Sequence, residues 1–461
     1  MIETNVPGLF PELLEQSKFF HGAEDLSVQH FSSVTGETFH NEVTVNGRKF
    51  SFDNAAAYAN ALEKKRYEKR FAKLAFYRAA SAVLGETLPW GALTGIRPVK
   101  FSYREGDRWR EIMRDEMGVS EKKLDLVGRI RVQQEPFYRT KPGDADLFIG
   151  IPFCPTRCSY CSFVSQEIGK CGQIPEYVDC LVKEINAAKR LIGSLRSVYI
   201  GGGTPVSLPV GQLERILDAV RDPGVEFTVE AGRPDCIDDE KLSLLKEAGV
   251  TRICVNPQTF HDKTLVLLGR KHTVRDILEK YESARKFGFS VNMDLIAGLP
   301  GESLEDFRAS VDKAADLSPD NVTVHTLSLK KGSRLKESVD RLPDGEIGVM
   351  IDYSAEKLLS SGYEPYYLYR QKYMAGNLEN TGYAKPGKGC AYNVDVMEEI
   401  TDNVACGANA VSKKLFGEED RIERYGAPKD VPTYLSKIDR IIAEKERLFT
   451  GEGRKSADGD K

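Results

Sequence analysis

Three cysteines fall within eight residues, in Ile151-Pro-Phe-Cys154-Pro-Thr-Arg-Cys158-Ser-Tyr160-Cys161. A C-x3-C-x2-C loop offers three thiolates to one face of a small iron–sulfur cube. Three ligands for four irons leave one iron open to a small molecule. The competing chemistry is a Cys3His zinc centre, which favours paired C-x2-C turns with a histidine close by. The next histidine downstream is His261, so the spacing favours the cube. Cys171, Cys180, Cys236, Cys254 and Cys406 are dispersed and read as ordinary buried or surface thiols. Cys390, in GYAKPGKGC, lies in a loop able to approach a site, with no second ligand adjacent.

Further residues of chemical promise follow at intervals. Tyr199-Ile-Gly201-Gly202-Gly203-Thr204-Pro205 ends a β-type run. Glycines let the backbone come close to a ligand, whose polar groups can then bond N–H or C=O; a tight turn would look the same. Glu230 in VEAGRPD, Gln258 in NPQTF and Asp294 in NMDLIAGLPGES stand at or near corresponding strand ends. Burying three such side chains unpaired is costly, which points to a ligand. Pairing with one another, or with Arg252 and Arg270, is the alternative.

The elements that must position these residues form a rhythm. Short β-type runs begin at Leu147 (LFIGIPF), Arg196 (RSVYIGG), Glu226 (EFTVEA), Thr251 (TRICVN), Phe289 (FSVNMDLIAG) and Asn321 (NVTVHTL). Between them lie stretches with apolar spacing of three and four, two of them closed by glycine in KEAG and KFG, which predicts helices. Six β-α units in series read as a parallel sheet covered by helices. An open doubly wound sheet and a full or partial barrel both fit, and in either the chemistry gathers at the C-terminal strand ends.

Residues 1–140 read as an α+β extension: a hairpin about Asn-Gly in NEVTVNGRKFSF, then one or two long helices through AAAYANALEKKRYEKRFAKLAFYRAASAVLG, and a further helix in SEKKLDLVGRIRVQQEPFY. The basic run KKRYEKR reads as a solvated helix face. Residues 331–449 carry a helix in DGEIGVMIDYSAEKLLSSG, an aromatic strand or loop in YEPYYLYRQKYM and a terminal helix in VPTYLSKIDRIIAEKERLF. Residues 450–461 are expected to be a disordered tail.

Composition narrows the classes. The chain has 461 residues, and 65 basic against 69 acidic side chains give a net charge of −4, unsuited to sequence-independent nucleic-acid binding. Hydrophobic content of 41% is enough for a core. The N-terminus lacks the basic and apolar regions of a secretory signal, and no run of 18 apolar residues offers a membrane span. Nine sparse cysteines suit a reducing compartment, so a cytoplasmic protein is expected.

With its aromatic before the third cysteine, the triplet resembles the signature of the radical S-adenosylmethionine (SAM) superfamily. IPFCPTRCSYC, YIGGGTP, FTVEAGRPD, RICVNPQTF, LGRKHT, VNMDLIAGLPGES and ACGANAVS together resemble one branch, the oxygen-independent coproporphyrinogen III oxidase (dehydrogenase) family, most of all its Gram-positive members with an N-terminal extension. The resemblance implies an α/β fold: a partial (β/α)6 radical SAM barrel over residues 141–330, between the α+β extension and a helical or mixed region covering the substrate. It implies that Cys154, Cys158 and Cys161 bind a [4Fe–4S] cluster, with Tyr160 beside it. SAM would then meet Phe148, Gly202, Gly203, Thr204, Glu230, Gln258, Arg270, Asp294 and the backbone near Val324. In that family one electron from the cluster cleaves SAM, and the resulting 5′-deoxyadenosyl radical starts the oxidative decarboxylation of two propionates to vinyls. A tetrapyrrole substrate and an electron-donor protein of flavodoxin or ferredoxin type are the implied partners. Lys330, Lys331, Arg334, Arg370 and Lys372 are candidates for holding the substrate carboxylates, or else solvated surface.

The chain departs from the family pattern in places. Where well-characterised members read Y-V-H-I-P-F-C, this chain has Phe148-Ile-Gly150-Ile-Pro-Phe-Cys154, and Phe163 stands where they carry a further cysteine. A haem-chaperone branch shares the triplet, GGGTP and a YAKPG-x-x-C segment. Its haem-associated H-N pair becomes Tyr392-Asn393 here, with no tryptophan after it. A radical SAM enzyme that modifies or degrades haem is the remaining alternative.

Overall fold

Alternating apolar residues near the N-terminus build a four-stranded sheet, β1 (Ile2–Thr4), β2 (Val28–Thr35), β3 (Thr38–Val45) and β4 (Arg48–Ala55), in that order. The turn between β3 and β4 is Asn46-Gly47, both left-handed at φ 47° and 80°, as the Asn-Gly pair predicts. The long helical pattern becomes one helix, Ala61–Leu84; the Asn60 side chain accepts from Glu63 N–H at its start and Gly85, at φ 69°, ends it. Its buried Phe71 ring lies 5.3 Å from Phe39 of β3. Two cations of the basic run are paired within this sheet-and-helix unit, Lys69 with Glu12 and Arg70 with Glu105, while Lys65 and Arg66 are exposed.

The computed structural model describes residues 1–20, 26–95, 97–161, 163, 165–328, 346–371, 374, 377–417 and 421–451. Lys330, Lys331, Arg334, Lys372 and residues 452–461 of the expected tail lie outside them. The chain divides into two units, Met1–Arg129 with Tyr369–Glu379, and Ile130–Leu368 with Asn380–Lys461. The first cut falls inside the helix Glu121–Gln134, before the expected boundary at 140. Arg370 needs correction: it is buried in the first unit rather than presented to a substrate carboxylate. Its guanidinium stands 5.4 Å from the Trp90 ring centroid and donates to Leu93 O and to Asn377. Burial lowers its pKa to about 10.

The second unit is built on β5 (Asp144–Ile151), β6 (Phe153–Cys154), β7 (Gln166–Glu167), β8 (Ser194–Gly202), β9 (Glu226–Gly232), β10 (Arg252–Val255), β11 (Ser290–Ala297), β12 (Asn321–Thr326), β13 (Glu364–Tyr369), β14 (Asn380–Ala384), β15 (Asp402–Cys406), β16 (Val411–Phe416) and β17 (Arg421–Gly426). Its main sheet has the order β13-β14-β12-β11-β10-β9-β8-β5-β15-β16-β17. All six predicted β-α units are present: β5, β8, β9, β10, β11 and β12 pair in parallel, and each is followed by a helix. β5 and β12 do not pair with each other, so the six-unit series is a partial barrel, with an open edge at each end.

The C-terminal chain fills both edges. β15 pairs in parallel with β5, and β14 antiparallel with β12. Residues from 380 onward thus belong to the barrel unit instead of forming a region of their own. The predicted terminal helix is two, Val431–Ser436 and Ile438–Thr450. They are anchored on Glu184, fully buried, which accepts from Tyr434 Oη at 2.6 Å, Gly407 N–H at 2.8 Å and Lys445 Nζ.

Candidate functional site

The cysteine loop leaves β5 at the C-terminal end of the sheet. It is bracketed by β6 and β7, which pair Cys154 with Glu167, and is pinned where Ser159 N–H donates to Leu268 O and Thr156 Oγ1 to Gly269 O, both at 3.1 Å. The glycine run locks onto it from β8. Gly203 N–H donates to Ile151 O and Thr204 N–H to Phe153 O, each at 2.7 Å, and Thr204 Oγ1 lies 3.5 Å from Cys154 Sγ. A Cβ on Gly203 would stand 2.5 Å from Phe153 O and 3.1 Å from Cys154 Sγ, so only glycine fits. Because Gly202 N–H is also spent, on Glu230 Oε2 at 3.2 Å, ligand contact along this run falls to carbonyl oxygens rather than N–H groups.

All three cysteines are half-buried. Burial pushes Cys161 up to about 11 and raises Cys154, so binding iron as thiolates would displace protons. Tyr160 lies against Cys158 and near Arg270, and burial pushes its phenol far above the ordinary range. Arg233, which the sequence reading passed over, reaches the loop from the end of β9: its Nη1 donates to Thr156 Oγ1 at 2.8 Å and stands 3.9 Å from Cys158 Sγ.

Glu230, Gln258 and Asp294 gather where β9, β10 and β11 end. Glu230 accepts from Tyr199 Oη at 2.7 Å; Asp294 accepts from Asn292 Nδ2 at 2.8 Å and lies 3.8 Å from His325 Nε2. Burial, with the Asp294 charge adding to it, raises the Glu230 pKa to about 7. Gln258 takes a left-handed φ of 67°, held by Gln258 N–H to Asp294 O at 2.8 Å and Ile296 N–H to Gln258 O at 3.0 Å. The two arginines suggested as partners go elsewhere. Arg270 donates to Pro257 O at 3.2 Å and Gly232 O at 3.1 Å, leaving its buried Nε without a protein partner. Arg252 sits at the opposite end of the sheet, 2.7 Å from Glu226 and bonded to Asn321 and Lys388 O. Val324 is flanked on both sides, by Leu295 and Thr381, so the open end of β12 lies beyond it at Thr326.

Inside the barrel Phe148, Tyr199 and Tyr392 stack, with ring centroids 4.4 Å apart for the tyrosines and 6.0 to 6.2 Å from Phe148. At Gly150 an added Cβ would meet Cys406 O and the Phe148 ring at 3.3 Å, and Tyr177 Oη donates to Gly150 O at 2.6 Å. The position of the relatives' histidine therefore has no space for a ring. Cys390 is buried near Glu226 at the far end of the strands, away from the cysteine loop. Two signals could have exposed the missed residues: Arg233 and His272 stand in VEAGRPD and LGRKHT, motifs in which only Glu230 and Arg270 were read.

Residues 148–314 match the sequence profile of the Radical SAM superfamily. A Bacillus subtilis relative named oxygen-independent coproporphyrinogen-III oxidase-like protein HemZ is 36% identical over 394 residues, which cover 79% of this chain and 78% of the relative. The chain belongs to the oxygen-independent coproporphyrinogen III oxidase-like family of radical SAM proteins. Haem chaperones named HemW are also similar; that of Lactococcus lactis is 34% identical over 68% of this chain and 83% of its own. Among solved structures, Escherichia coli coproporphyrinogen III oxidase (HemN) shares the fold, with a TM-score of 0.54 at 23% identity over 66% of this chain and 71% of that one.

Membership in this family makes a [4Fe–4S] cluster and SAM the cofactors. The donor set fits them. Among the described residues no three His, Cys, Asp or Glu side chains converge on one metal ion, as a zinc centre requires. A cube takes one thiolate per iron, so its ligands stand apart. Two neighbouring carboxyl groups and an unpartnered Arg270 Nε suit a ligand carrying both an ammonium and a carboxylate. No helix among the described residues is long and apolar enough to cross a membrane.

Proposed function

We propose that the protein is an oxygen-independent coproporphyrinogen III dehydrogenase, a cytoplasmic enzyme that oxidatively decarboxylates two propionates to vinyls and yields protoporphyrinogen IX. The observation that carries this reading over the chaperone alternative is Tyr392. It stands where the chaperone branch has its histidine, and it is buried in a ring stack against Tyr199 rather than presented to a metal. The similarity to a coproporphyrinogen-III oxidase-like relative over most of both chains supports the same reading.

When bound, the cluster and SAM supply a one-electron source of hydrogen-atom abstraction. The chain's part is placement. Cys154, Cys158 and Cys161 would hold three irons and leave the fourth open. Glu230 and Asp294 would receive the ammonium and hydroxyl groups of SAM, and Arg270 its carboxylate. Gln258, fixed by its left-handed backbone, and the carbonyls of Gly202 and Gly203 would complete the cradle. Phe148 closes the barrel below with an apolar ring, keeping water from the reacting atoms. The reducing electron would come from a flavodoxin- or ferredoxin-type protein.

Anaerobic incubation of reconstituted protein with SAM, a reductant and coproporphyrinogen III should release CO2 and 5′-deoxyadenosine and form vinyl products. Cys158→Ser should lose the cluster's visible absorbance and all SAM cleavage while staying folded. A stable haem Soret band with little 5′-deoxyadenosine would overturn the enzyme reading in favour of the chaperone.

A further inference from the structure

A buried charged relay lies against the cysteine loop and ends on one of its sulfurs. Arg233 is 4% exposed. Its guanidinium forks onto Asp235, Nε to Oδ1 at 3.0 Å and Nη2 to Oδ2 at 2.8 Å. Oδ1 of Asp235 also lies 3.2 Å from Nδ1 of His272, a side chain with no exposure. Two sides of the fork are thus committed, and the third, Nη1, points at the loop. It donates to Thr156 Oγ1 at 2.8 Å, approaches Thr156 O at 3.4 Å and stands 3.9 Å from Cys158 Sγ. Thr156 is itself tied to Gly269 O, so both ends of this contact are anchored.

We infer, resting on the ligand assignment proposed above, that Arg233 is a positioning residue that raises the cluster's reduction potential by aiming an N–H at the Cys158 sulfur. A hydrogen bond to a ligating thiolate draws off negative charge and favours the reduced cluster, which carries one more electron. That electron comes from the donor protein of ferredoxin or flavodoxin class, and no bond to Arg233 is made or broken. Asp235 balances the arginine's charge, so the effect lies in a directed donor rather than in net charge. Only a planar fork can hold a carboxylate with two nitrogens and aim a third, which lysine cannot imitate.

The test is a redox titration of the reconstituted full-length protein without SAM or substrate, followed by the electron paramagnetic resonance of the reduced cluster. Arg233→Gln should keep the parent's iron content while the ratio of reduced to oxidised cluster at a fixed potential falls about tenfold, or ~59 mV for one electron. Arg233→Lys, which keeps the charge and loses the fork, should fall part of the way. A parental potential in Arg233→Gln with parental iron content overturns the inference. Should that variant not fold, a parental potential in Arg233→Lys does the same. The two levels fail differently: a parent protein that takes up no iron removes the ligand assignment, whereas an iron-loaded parent with an indifferent Arg233 removes only the tuning role.

Discussion

The two ends of the parallel sheet carry the same kinds of side chain and use them in opposite ways. At the N-terminal ends charges cancel locally. Arg252 meets Glu226, Arg196 forks onto Asp395, and Asp146 accepts from Ser197 and Thr401 hydroxyls at 2.5 and 2.8 Å. At the C-terminal ends Glu230 and Asp294 face each other, and Asp294 has His325, charged only when protonated, 3.8 Å away. Mutual pairing marks a structural seal; like charges left together mark a place built for something else.

Substitutions at each end should therefore fail in different currencies. Arg252→Met leaves Glu226 without its cation and should destabilise the fold by about 3 kcal/mol in denaturant unfolding, the scale for breaking a buried pair. SAM binding by the molecules that remain folded should not change; a loss of SAM affinity without destabilisation would erase the distinction between the ends. Glu230→Gln should weaken SAM binding by about tenfold, roughly 1.4 kcal/mol, measured by equilibrium titration. Its effect on stability should have the opposite sign. The folded-state pKa of Glu230 is raised from 4.5 to about 7, so its contribution is full below pH 4.5 and is lost as pH rises towards 7. The glutamine variant should match the parent near pH 4.5 and melt roughly 2–4 °C higher at pH 8. Tyr392→Phe, which keeps the ring stack, should alter stability by less than about 0.5 kcal/mol and leave SAM cleavage intact; a large loss would give its hydroxyl a role in the site.

The barrel was legible because parallel strands buried on both faces read as continuous apolar runs, and intervening helices announce themselves by period and cap. The cysteine loop was legible because its ligands are local in sequence. The edges were not. β14 and β15 join β12 and β5 from far along the chain, and short apolar runs carry no mark of their partners. Arg370 was misread because a cation in an aromatic stretch looks the same whether it meets a substrate or a tryptophan. Arg233 was passed over because its meaning depends on Thr156 and Cys158, which only folding brings beside it.

The pairing of β15 with β5 has a consequence for how the protein is made. A growing chain has emitted all six β-α units by Thr326, yet the first strand keeps one side bare until Asp402–Cys406 leaves the ribosome. The interval spans 75 residues. Throughout it, the strand that leads into the iron-binding loop is an open template for stray partners, so maturation of the metal centre belongs to the finished polypeptide rather than to the nascent one.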